Sequence, residues 1–216
     1  MSLRRTLTSD VDIADNSGTV SKRPDFEVGE GILQVAARLT ASLDADKRLV
    51  LVTSYDDRDG ASDLAAQLAI ALARLSQAPV ALVDGDRSRP SLHKLFQVPG
   101  GMGLSELVDE RVELASVIEE VTGGVSLIPA GQMKGSLPLP DCARVCNNLR
   151  DRFRYVVIAG GPLLLTPDTV TLGSQCDGAV LALRAGLRHR EDVLELQREL
   201  LRLRVRLFGA VLRERS

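Results

Sequence analysis

The chain has 216 residues, of which 44% are hydrophobic and 26% are charged, and its formal net charge at pH 7 is −2. This composition is ordinary for a globular protein with one sizeable core. The small negative net charge argues against a nucleic-acid-binding surface. Aromatic rings on which bases could stack are also scarce, since the chain has two Tyr, four Phe and no Trp. No apolar run reaches the roughly 18 residues of a membrane span and the N-terminus lacks the apolar stretch of a secretory signal, so we expect a cytoplasmic protein.

Helical and strand-like patterns alternate along the chain. Residues 1 to about 25 are polar and predict a flexible tail, and residues 26–216 predict a single domain. Apolar residues recur with helical spacing at 30–43, 62–76, 104–120, 139–151 and 188–204. Strand-like apolar runs occur at 49–53, 80–83, 125–128, 155–158, 179–183 and 207–212. These runs are continuous, as in strands covered on both faces, and the alternation predicts an α/β fold with three layers and a mostly parallel sheet flanked by helices.

The most unusual stretch is the loop from Ser54 to Asp63, between the first strand and the second helix. In this setting a glycine-rich loop binds nucleotide phosphates through backbone N–H groups and one lysine. Here Ala61 stands in the lysine position, between Gly60 and Ser62. Residues 55–63 contain four Asp and one Arg, a formal charge of −3, and like charges 4 Å apart repel by roughly 4 kcal/mol near a protein surface. The sequence therefore predicts a phosphate-binding loop that no longer binds phosphate.

The same aspartates also allow a cation site as an alternative. A calcium-binding loop with Gly60 at its sixth place would need Asp at 55 and Glu at 66, where the chain has Tyr55 and Ala66. A solvated acidic loop at a helix N-terminus fits better, because that end of a helix favours carboxylates.

Three further features have simple packing interpretations. Cys142 and Cys146 lie one helical turn apart, and with Cys176 they form no C-x-x-C pair, so packing is favoured over metal binding. His93 has no spacing typical of a catalytic residue. The helix at 188–204 has an apolar stripe with interspersed arginines; it could lie on a membrane, but packing against the core with one solvated face is favoured.

The segment at 84–96, Asp-Gly-Asp-Arg-Ser-Arg-Pro-Ser-Leu-His-Lys-Leu-Phe, carries a specific resemblance. Together with Gly103-Leu104-Ser105-Glu106-Leu107 it resembles the bacterial tyrosine kinases of capsule and exopolysaccharide export (BY-kinases), which belong to the deviant P-loop ATPases. The resemblance runs from about residue 26 to residue 213 and implies a P-loop NTPase-like fold.

The resemblance also assigns candidate site residues. It implies that Asp84 and Asp86 form the acidic motif that serves magnesium and the acceptor hydroxyl, and that Ser62 is the magnesium-binding hydroxyl after the P-loop lysine. The remnant of a nucleotide site therefore consists of Gly60, Ser62, Asp84 and Asp86. These residues would contact a nucleotide only if nucleotide binding is retained.

Several positions depart from the pattern of that family. The P-loop lysine is Ala61, the aspartate of the third motif is Ala159, and the asparagine that reads adenine is Arg213. Leu33 and Ala36 stand where the first helix would carry ring-forming arginines. No tyrosine follows Tyr155, so the tyrosine-rich tail of the kinases has no counterpart here. Because phosphoryl transfer depends on positioning and charge neutralisation, these losses predict no catalytic residue, no bound metal and no cofactor.

The resemblance implies a function without catalysis. We expect a degenerate, kinase-like scaffold or regulator of exopolysaccharide biosynthesis, held near the inner membrane by a chain-length (co-polymerase) protein. An active homologous kinase is a further possible partner. The alternative is a divergent tyrosine kinase or ATPase that still binds MgATP through the four remnant residues.

Overall fold

The computed structural model describes residues 26–43, 49–132, 135 and 137–213. The predicted tail at 1–25 lies outside the described residues. None of the helices in the described residues combines the length and the hydropathy of a membrane span.

Seven strands form one sheet. In chain order the strands are β1 Leu49–Ser54, β2 Val80–Asp84, β3 Glu119–Thr122, β4 Val125–Ile128, β5 Tyr155–Pro162, β6 Gly178–Arg184 and β7 Arg206–Arg213. Their order across the sheet is β3-β4-β2-β5-β1-β6-β7. All pairs are parallel except β3 with β4. Every residue of β1, β2, β4 and β5 is buried, which explains why these strands are continuous apolar runs.

Helices cover both faces of this sheet. They are α1 Glu30–Ser42, α2 Ala61–Ser76, α3 Leu92–Phe96, α4 Leu104–Val108, α5 Leu139–Arg152, α6 Pro167–Gly173 and α7 Arg190–Arg202. The first three pack into one apolar core and the other four into a second core on the opposite face. The predicted three-layer α/β fold is confirmed.

The prediction of one helix at 104–120 is wrong. That stretch contains the short helix α4, a 3₁₀ turn at Leu114–Ser116 and the beginning of β3. Glu110 has a φ of 55°, in the left-handed region that an α-helix cannot continue through. Strand β3 escaped the sequence analysis because Glu119 and Glu120 break its apolar pattern, as is usual for an edge strand.

The helix predicted at 188–204 begins at Arg190 and packs against the core through Leu196 and Leu200. Packing was therefore the correct interpretation. Ala36 and Leu33 on α1 also contribute to packing: Ala36 is buried, and Leu33 contacts the core from its edge. These two positions serve the fold of the chain.

Candidate functional site

A small cleft lies where β1, β2 and β5 end, since these three strands are neighbours in the sheet. Such a carboxyl edge is the usual place for a ligand in an α/β domain. The cleft has a volume of about 200 Å³. Its lining residues are Ser54, Asp57, Gly60, Ala61, Ser62, Asp63, Asp86, Ser91, Gly160, Gly161 and Pro162. Three of the four candidate residues, Gly60, Ser62 and Asp86, therefore meet in one cleft, but Asp84 does not line it.

The loop between β1 and α2 is ordered by its own aspartates. Asp57–Asp59 form a 3₁₀ turn, and the Asp56 carboxylate accepts a hydrogen bond from the backbone N–H of Arg58 at 3.0 Å. The Asp59 carboxylate in return accepts the N–H of Asp56 at 3.0 Å. Gly60 then takes a φ of 78°, which glycine adopts without strain, and α2 begins at Ala61.

Asp59 is buried and paired with an arginine from the other end of the chain. Its side chain is fully enclosed, and the Nε of Arg188 lies 2.9 Å from one of its oxygens. The backbone N–H of Arg184 donates to the same carboxylate at 3.2 Å. Arg188 is itself only 9% exposed and stacks over the ring of Tyr55, 5.1 Å from its centroid. The expectation that the loop is solvated is therefore wrong at Asp59.

The remaining three aspartates of the loop are also paired. Arg58 contacts the Asp56 carboxylate at 2.9 Å, and the side-chain and backbone hydrogen bonds from Arg58 hold the pKa of Asp56 well below its usual range. Arg89 contacts Asp57, and Arg213 lies 3.3 Å from Asp63. Three arginines from outside the loop, at positions 89, 188 and 213, thus offset the local charge of −3 that we counted from sequence.

Arg213 also fills space beside the phosphate-binding turn. Its Nη1 donates to the carbonyl oxygen of Gly60 at 2.9 Å. A Cβ atom added to Gly60 would lie 1.7 Å from that nitrogen. Glycine is therefore required at position 60 for two reasons, the positive φ and the close approach of the guanidinium.

Asp84 has a structural role. Its side chain is fully buried, and one carboxylate oxygen accepts the backbone N–H groups of Ser91 and Leu92, each at 3.0 Å. The other oxygen has no hydrogen-bond partner among the described residues. Desolvation by burial is the main cause that raises the pKa of Asp84 to about 6, and backbone hydrogen bonds from Leu92, Ser91 and Asp86 oppose it. Asp84 caps the start of α3 and is screened from the cleft.

Asp86 is the acidic-motif residue that reaches the cleft. Its carboxylate accepts the N–H of Arg89 at 3.1 Å. Burial, with a smaller contribution from the charge of Asp57, raises its pKa. A Cβ atom at Gly161 would lie 2.9 Å from its carboxylate, so the glycine following β5's apolar run makes room for this side chain.

Carboxylates are the only charged side chains among the described residues that line the cleft. Three carboxylates, from Asp57, Asp63 and Asp86, line it, and among its described lining residues none is cationic. Ala159 is fully buried and pairs with Asp84 across the strands, so it presents no ligand. In the described part of the chain, no group of three or more His, Cys, Asp or Glu side chains is placed to hold a metal ion. Two of these carboxylates, those of Asp57 and Asp63, are paired with Arg89 and Arg213, so the negative charge of the lining is partly offset from within the chain.

Sequence reasoning missed the arginines that hold this loop. Arg188 was placed on the solvated face of the last helix, whereas it precedes α7 and is buried against Asp59. Arg213 entered the sequence analysis only as the residue in place of the adenine-reading asparagine, yet its Nη2 lies 3.3 Å from Asp63. Only the excess of aspartate in the loop, which requires counter-charges if any part is buried, could have signalled these pairs.

The cysteines and His93 lie outside the cleft. All three cysteine thiols are buried and unoxidised, and burial raises the pKa of Cys142 to about 11 and of Cys146 to about 12. Such thiols are unreactive. The His93 ring packs against Gly100, and partial burial lowers its pKa.

Curated relatives of the chain are named as tyrosine kinases. It is 25% identical over 186 residues to the tyrosine-protein kinase YwqD of Bacillus subtilis, covering 80% of this chain and 74% of YwqD. It is 26% identical over 180 residues to the tyrosine-protein kinase etk of Escherichia coli K12, covering 80% of this chain but only 24% of that protein. The chain thus spans about a quarter of the length of etk. No protein-family model matches the chain.

Solved structures lead to the same group. The kinase domain of the E. coli tyrosine kinase ETK superposes with a TM-score of 0.77 at 22% identity, covering 93% of this chain and 84% of that one. The BceF tyrosine kinase domain gives a TM-score of 0.70 at 26% identity, covering 86% of this chain and 76% of that one. These sequence relatives and structural neighbours are bacterial tyrosine kinases, so the chain resembles this family in sequence and has the fold of its kinase domains.

Proposed function

We propose that this protein is a catalytically inactive member of its family, a scaffold or regulator of exopolysaccharide or capsule production that acts by protein–protein contact. The observation that carries the proposal is that Ala61 lines the cleft at the position where a lysine would neutralise phosphate, and that no lysine or arginine is among the described lining residues. Phosphoryl transfer needs the opposite arrangement, because charge on the transferred group must be neutralised.

In the loop after β1, aspartate carboxylates occupy the arginines of the chain that could otherwise pair with a bound anion. Asp59 with Arg188 and Asp63 with Arg213 fix the turn through pairs within the chain. A nucleotide would have to enter beside these pairs, next to the Arg213 guanidinium that donates to the carbonyl oxygen of Gly60. Ion pairs within the chain thus stabilise the loop that binds a nucleotide in the kinases. This favours a role that depends on a stable fold and a protein-binding surface.

The proposed partner is a membrane chain-length protein of polysaccharide export, contacted from the cytoplasm. This follows the resemblance of the chain to kinases of such systems. A homologous, active kinase is the second partner to be sought. A pull-down of the tagged full chain from its native cell, repeated after deletion of the membrane partner, tests both. Normal polysaccharide production without the chain, with no export component recovered, would contradict the proposal.

The competing function is a divergent kinase that binds MgATP. It is favoured by one observation, the meeting of Gly60, Ser62 and Asp86 in a single cleft. Isothermal titration with ATP, with and without Mg²⁺, separates the two. We expect no binding tighter than about 1 mM, no ATP hydrolysis above background, and no phosphotyrosine by mass spectrometry. A micromolar dissociation constant would establish the competing function.

Two controls sharpen that titration. The kinase domain of the E. coli relative reports whether the assay detects binding, and an Ala61→Lys, Ala159→Asp variant reports whether two lost positions are sufficient to explain its absence. A ligand at 100 times its dissociation constant stabilises a protein by about 2.7 kcal/mol. Because we expect a dissociation constant of about 1 mM or weaker, millimolar MgATP stays far below that excess, and the thermal midpoint of the wild-type chain should hardly change.

A further inference from the structure

The parallel strands begin at the edge of the sheet opposite the cleft, which we call the amino edge. Helices α2, α5 and α7 start near the carboxyl edge and end at the amino edge, where each connects to the strand that follows it, β2, β5 or β7. The turn after α6 leads to β6 at the same edge. Two of these connections touch, because the N–H of Arg154 donates to the carbonyl oxygen of Pro79 at 2.9 Å. The amino edge thus includes four helix-to-strand connections.

These four connections are rich in arginine. From the last helical turn to the first residue of the strand, they carry seven arginines against two aspartates and one glutamate, a formal charge of +4. The arginines lie at positions 74, 150, 152, 154, 202, 204 and 206. At the carboxyl edge, by contrast, the described lining of the cleft is charged only through carboxylates. The domain is therefore polarised along its strands, with positive charge at the edge away from the cleft.

Most carboxylates of the amino edge are already paired. Asp177 contacts Arg150 at 3.1 Å, and Glu199 contacts Arg202 at 2.9 Å. Three arginines of this edge are exposed and have no ion pair within the described part of the chain, at positions 152, 204 and 206. Their charge remains available to an anionic partner.

Two large apolar side chains are exposed at the same edge. Leu75, in the last turn of α2, is 47% exposed, and Leu201, in the last turn of α7, is 67% exposed. Because α2 and α7 pack on opposite faces of the sheet, the two leucines flank the sheet. The N–H of Arg204 donates to the carbonyl oxygen of Leu201 at 3.0 Å, so a cationic residue lies directly beside this leucine.

We propose that the amino edge binds an anionic membrane surface directly, with its arginines at the lipid phosphates and with Leu75 and Leu201 at the boundary of the acyl chains. Guanidinium groups bind phosphate oxygens in a bidentate manner. Each cation near an anionic leaflet strengthens binding about fivefold. Apolar side chains flanked by cations are typical of protein surfaces that enter the lipid interface.

The spacing of these groups favours a flat partner. Strands β5 and β7 are separated in the sheet by β1 and β6, and adjacent strands lie about 4.8 Å apart, so the connections before β5 and β7 are about 14 Å apart. The two leucines lie on opposite sides of that line. A single extended peptide would follow one line and contact only part of this surface, whereas a bilayer contacts all of it.

Nucleic acid fits the amino edge less well. The aromatic rings of the four connections belong to Phe153 and Tyr155, and both are buried. Neither ring can therefore stack with a nucleotide base, and the exposed leucines would have no counterpart on a phosphate backbone.

Helix α7 keeps its packed face in this arrangement. Leu196 and Leu200 remain buried against the core, and only the last turn of the helix and the residues after it contact lipid. The inference goes beyond the proposed scaffold function and does not rest on it, since vesicles contain no protein partner.

The test is sedimentation of the full chain with vesicles of phosphatidylcholine, either pure or with about one third phosphatidylglycerol. We expect binding to the anionic vesicles to be at least about tenfold tighter than to the neutral ones. Binding should be lost in about 1 M salt, where exposed charges are screened. Equal binding to both kinds of vesicle, or binding to neither, would overturn the proposal.

Charge variants locate the contact. Arg152→Gln, Arg204→Gln and Arg206→Gln together should weaken binding about hundredfold, because each lost cation weakens it about fivefold. The matched control removes the same charge from exposed positions at the carboxyl edge, through Arg58→Gln, Arg89→Gln and Arg190→Gln. The control should change binding less than about threefold. Equal losses in the two variants would mean that only the net charge of the chain matters, and the amino edge would not be the site.

The substitution at position 204 is compatible with the fold. Arg204 has a φ of 59°, and Gln77 and Gln97 adopt the same left-handed backbone after two other helices. The thermal midpoint of the triple variant should therefore stay within error of the wild-type value, which separates lost binding from lost folding.

Insertion of the leucine is tested by fluorescence, since the chain has no Trp. Leu201→Trp places a single reporter at the amino edge, and its emission should move to shorter wavelength on anionic vesicles. Leu165→Trp is the control, because Leu165 is 73% exposed and follows β5 at the carboxyl edge; its emission should not change. An unchanged Leu201→Trp spectrum on protein that sediments with vesicles would contradict the proposed contact.

Other polyanions give a distinct result. Duplex DNA and poly-glutamate are titrated against the full chain and against the triple amino-edge variant. If either binds the wild-type chain more tightly than the anionic vesicles do, and the triple variant loses that binding, the amino edge serves nucleic acid or an acidic protein. The proposal would then be wrong.

Discussion

The loops that follow β1 and β2 lie side by side at the same edge of the sheet, yet they have diverged in opposite ways. The β1 loop has Ala61 where the kinases that the chain resembles have a lysine, and its aspartates are paired with arginines from distant parts of the chain. The β2 loop keeps both acidic residues, but Asp84 is buried as a cap of α3. A retained residue type is therefore no guarantee of a retained role, because burial and hydrogen bonding decide what a carboxylate can do.

The largest expected effect comes from the buried pair of the β1 loop. Arg188→Met leaves the Asp59 carboxylate enclosed without its cation. Removing one partner of a buried ion pair costs about 3–5 kcal/mol, so we expect a loss of that size in the free energy of unfolding, measured by urea titration.

Adding Asp59→Asn to that variant tests the cause. The neutral amide needs no cation, so the double variant should recover a large part of the lost stability. If the single variant loses less than about 1 kcal/mol, the pair contributes no more than a surface pair does, and the loop is not held from within.

Asp84 on the β2 loop gives the next largest effect, and it depends on pH. Burial raises its pKa to about 6 in the folded state, against about 3.9 when unfolded. The folded protein therefore binds this proton more tightly, and the stabilising contribution is complete below pH 4 and lost as the pH rises through 6. Asp84→Asn retains an acceptor for the Ser91 and Leu92 N–H groups without the charge.

We expect Asp84→Asn to stabilise the protein at pH 7 by up to about 3 kcal/mol, because the two pKa values differ by about 2 and each pKa unit corresponds to about 1.4 kcal/mol. The gain should vanish at pH 4. Urea unfolding at a series of pH values measures both. A variant that is destabilised equally at every pH would show that the charge is needed in the folded state, as it would be in a working metal site.

Much of this fold could be predicted from the sequence. Six of the seven strands are apolar runs, and their predicted positions are confirmed. Five of these strands are buried almost throughout, and buried parallel strands require such runs. The geometry of the candidate site was harder to predict from the sequence. The pairing of Arg188 with Asp59 joins residues 129 positions apart, and the burial of Asp84 depends on two backbone amides that only the folded turn presents.

A substitution at Gly60 should cause a smaller loss of stability, and it tests the contact between Arg213 and Gly60. In Gly60→Ala the new side chain must adopt a φ of 78° and displace the guanidinium. Left-handed backbone strain alone costs about 1–2 kcal/mol. Gly186→Ala is the matched control, because Gly186 has a φ of 75° and open space around its Cα. We expect Gly60→Ala to be the more destabilising in urea, and equal losses would mean that the Arg213 contact has no energetic weight.

The smallest effect is expected at the exposed pair of the β1 loop. Arg58 is 65% exposed and contacts Asp56 at 2.9 Å. Hydrogen bonds from Arg58 depress the pKa of Asp56, so any stability from the pair is present at neutral pH and is lost as the pH falls below the usual range of an aspartate. Solvent and salt screen such a pair. Arg58→Ala should therefore leave the urea midpoint at pH 7 unchanged within error, at low and high salt alike. A loss approaching that of Arg188→Met would show that the outer face of the loop contributes as much as the inner face, and the contrast between buried and exposed pairs would no longer hold.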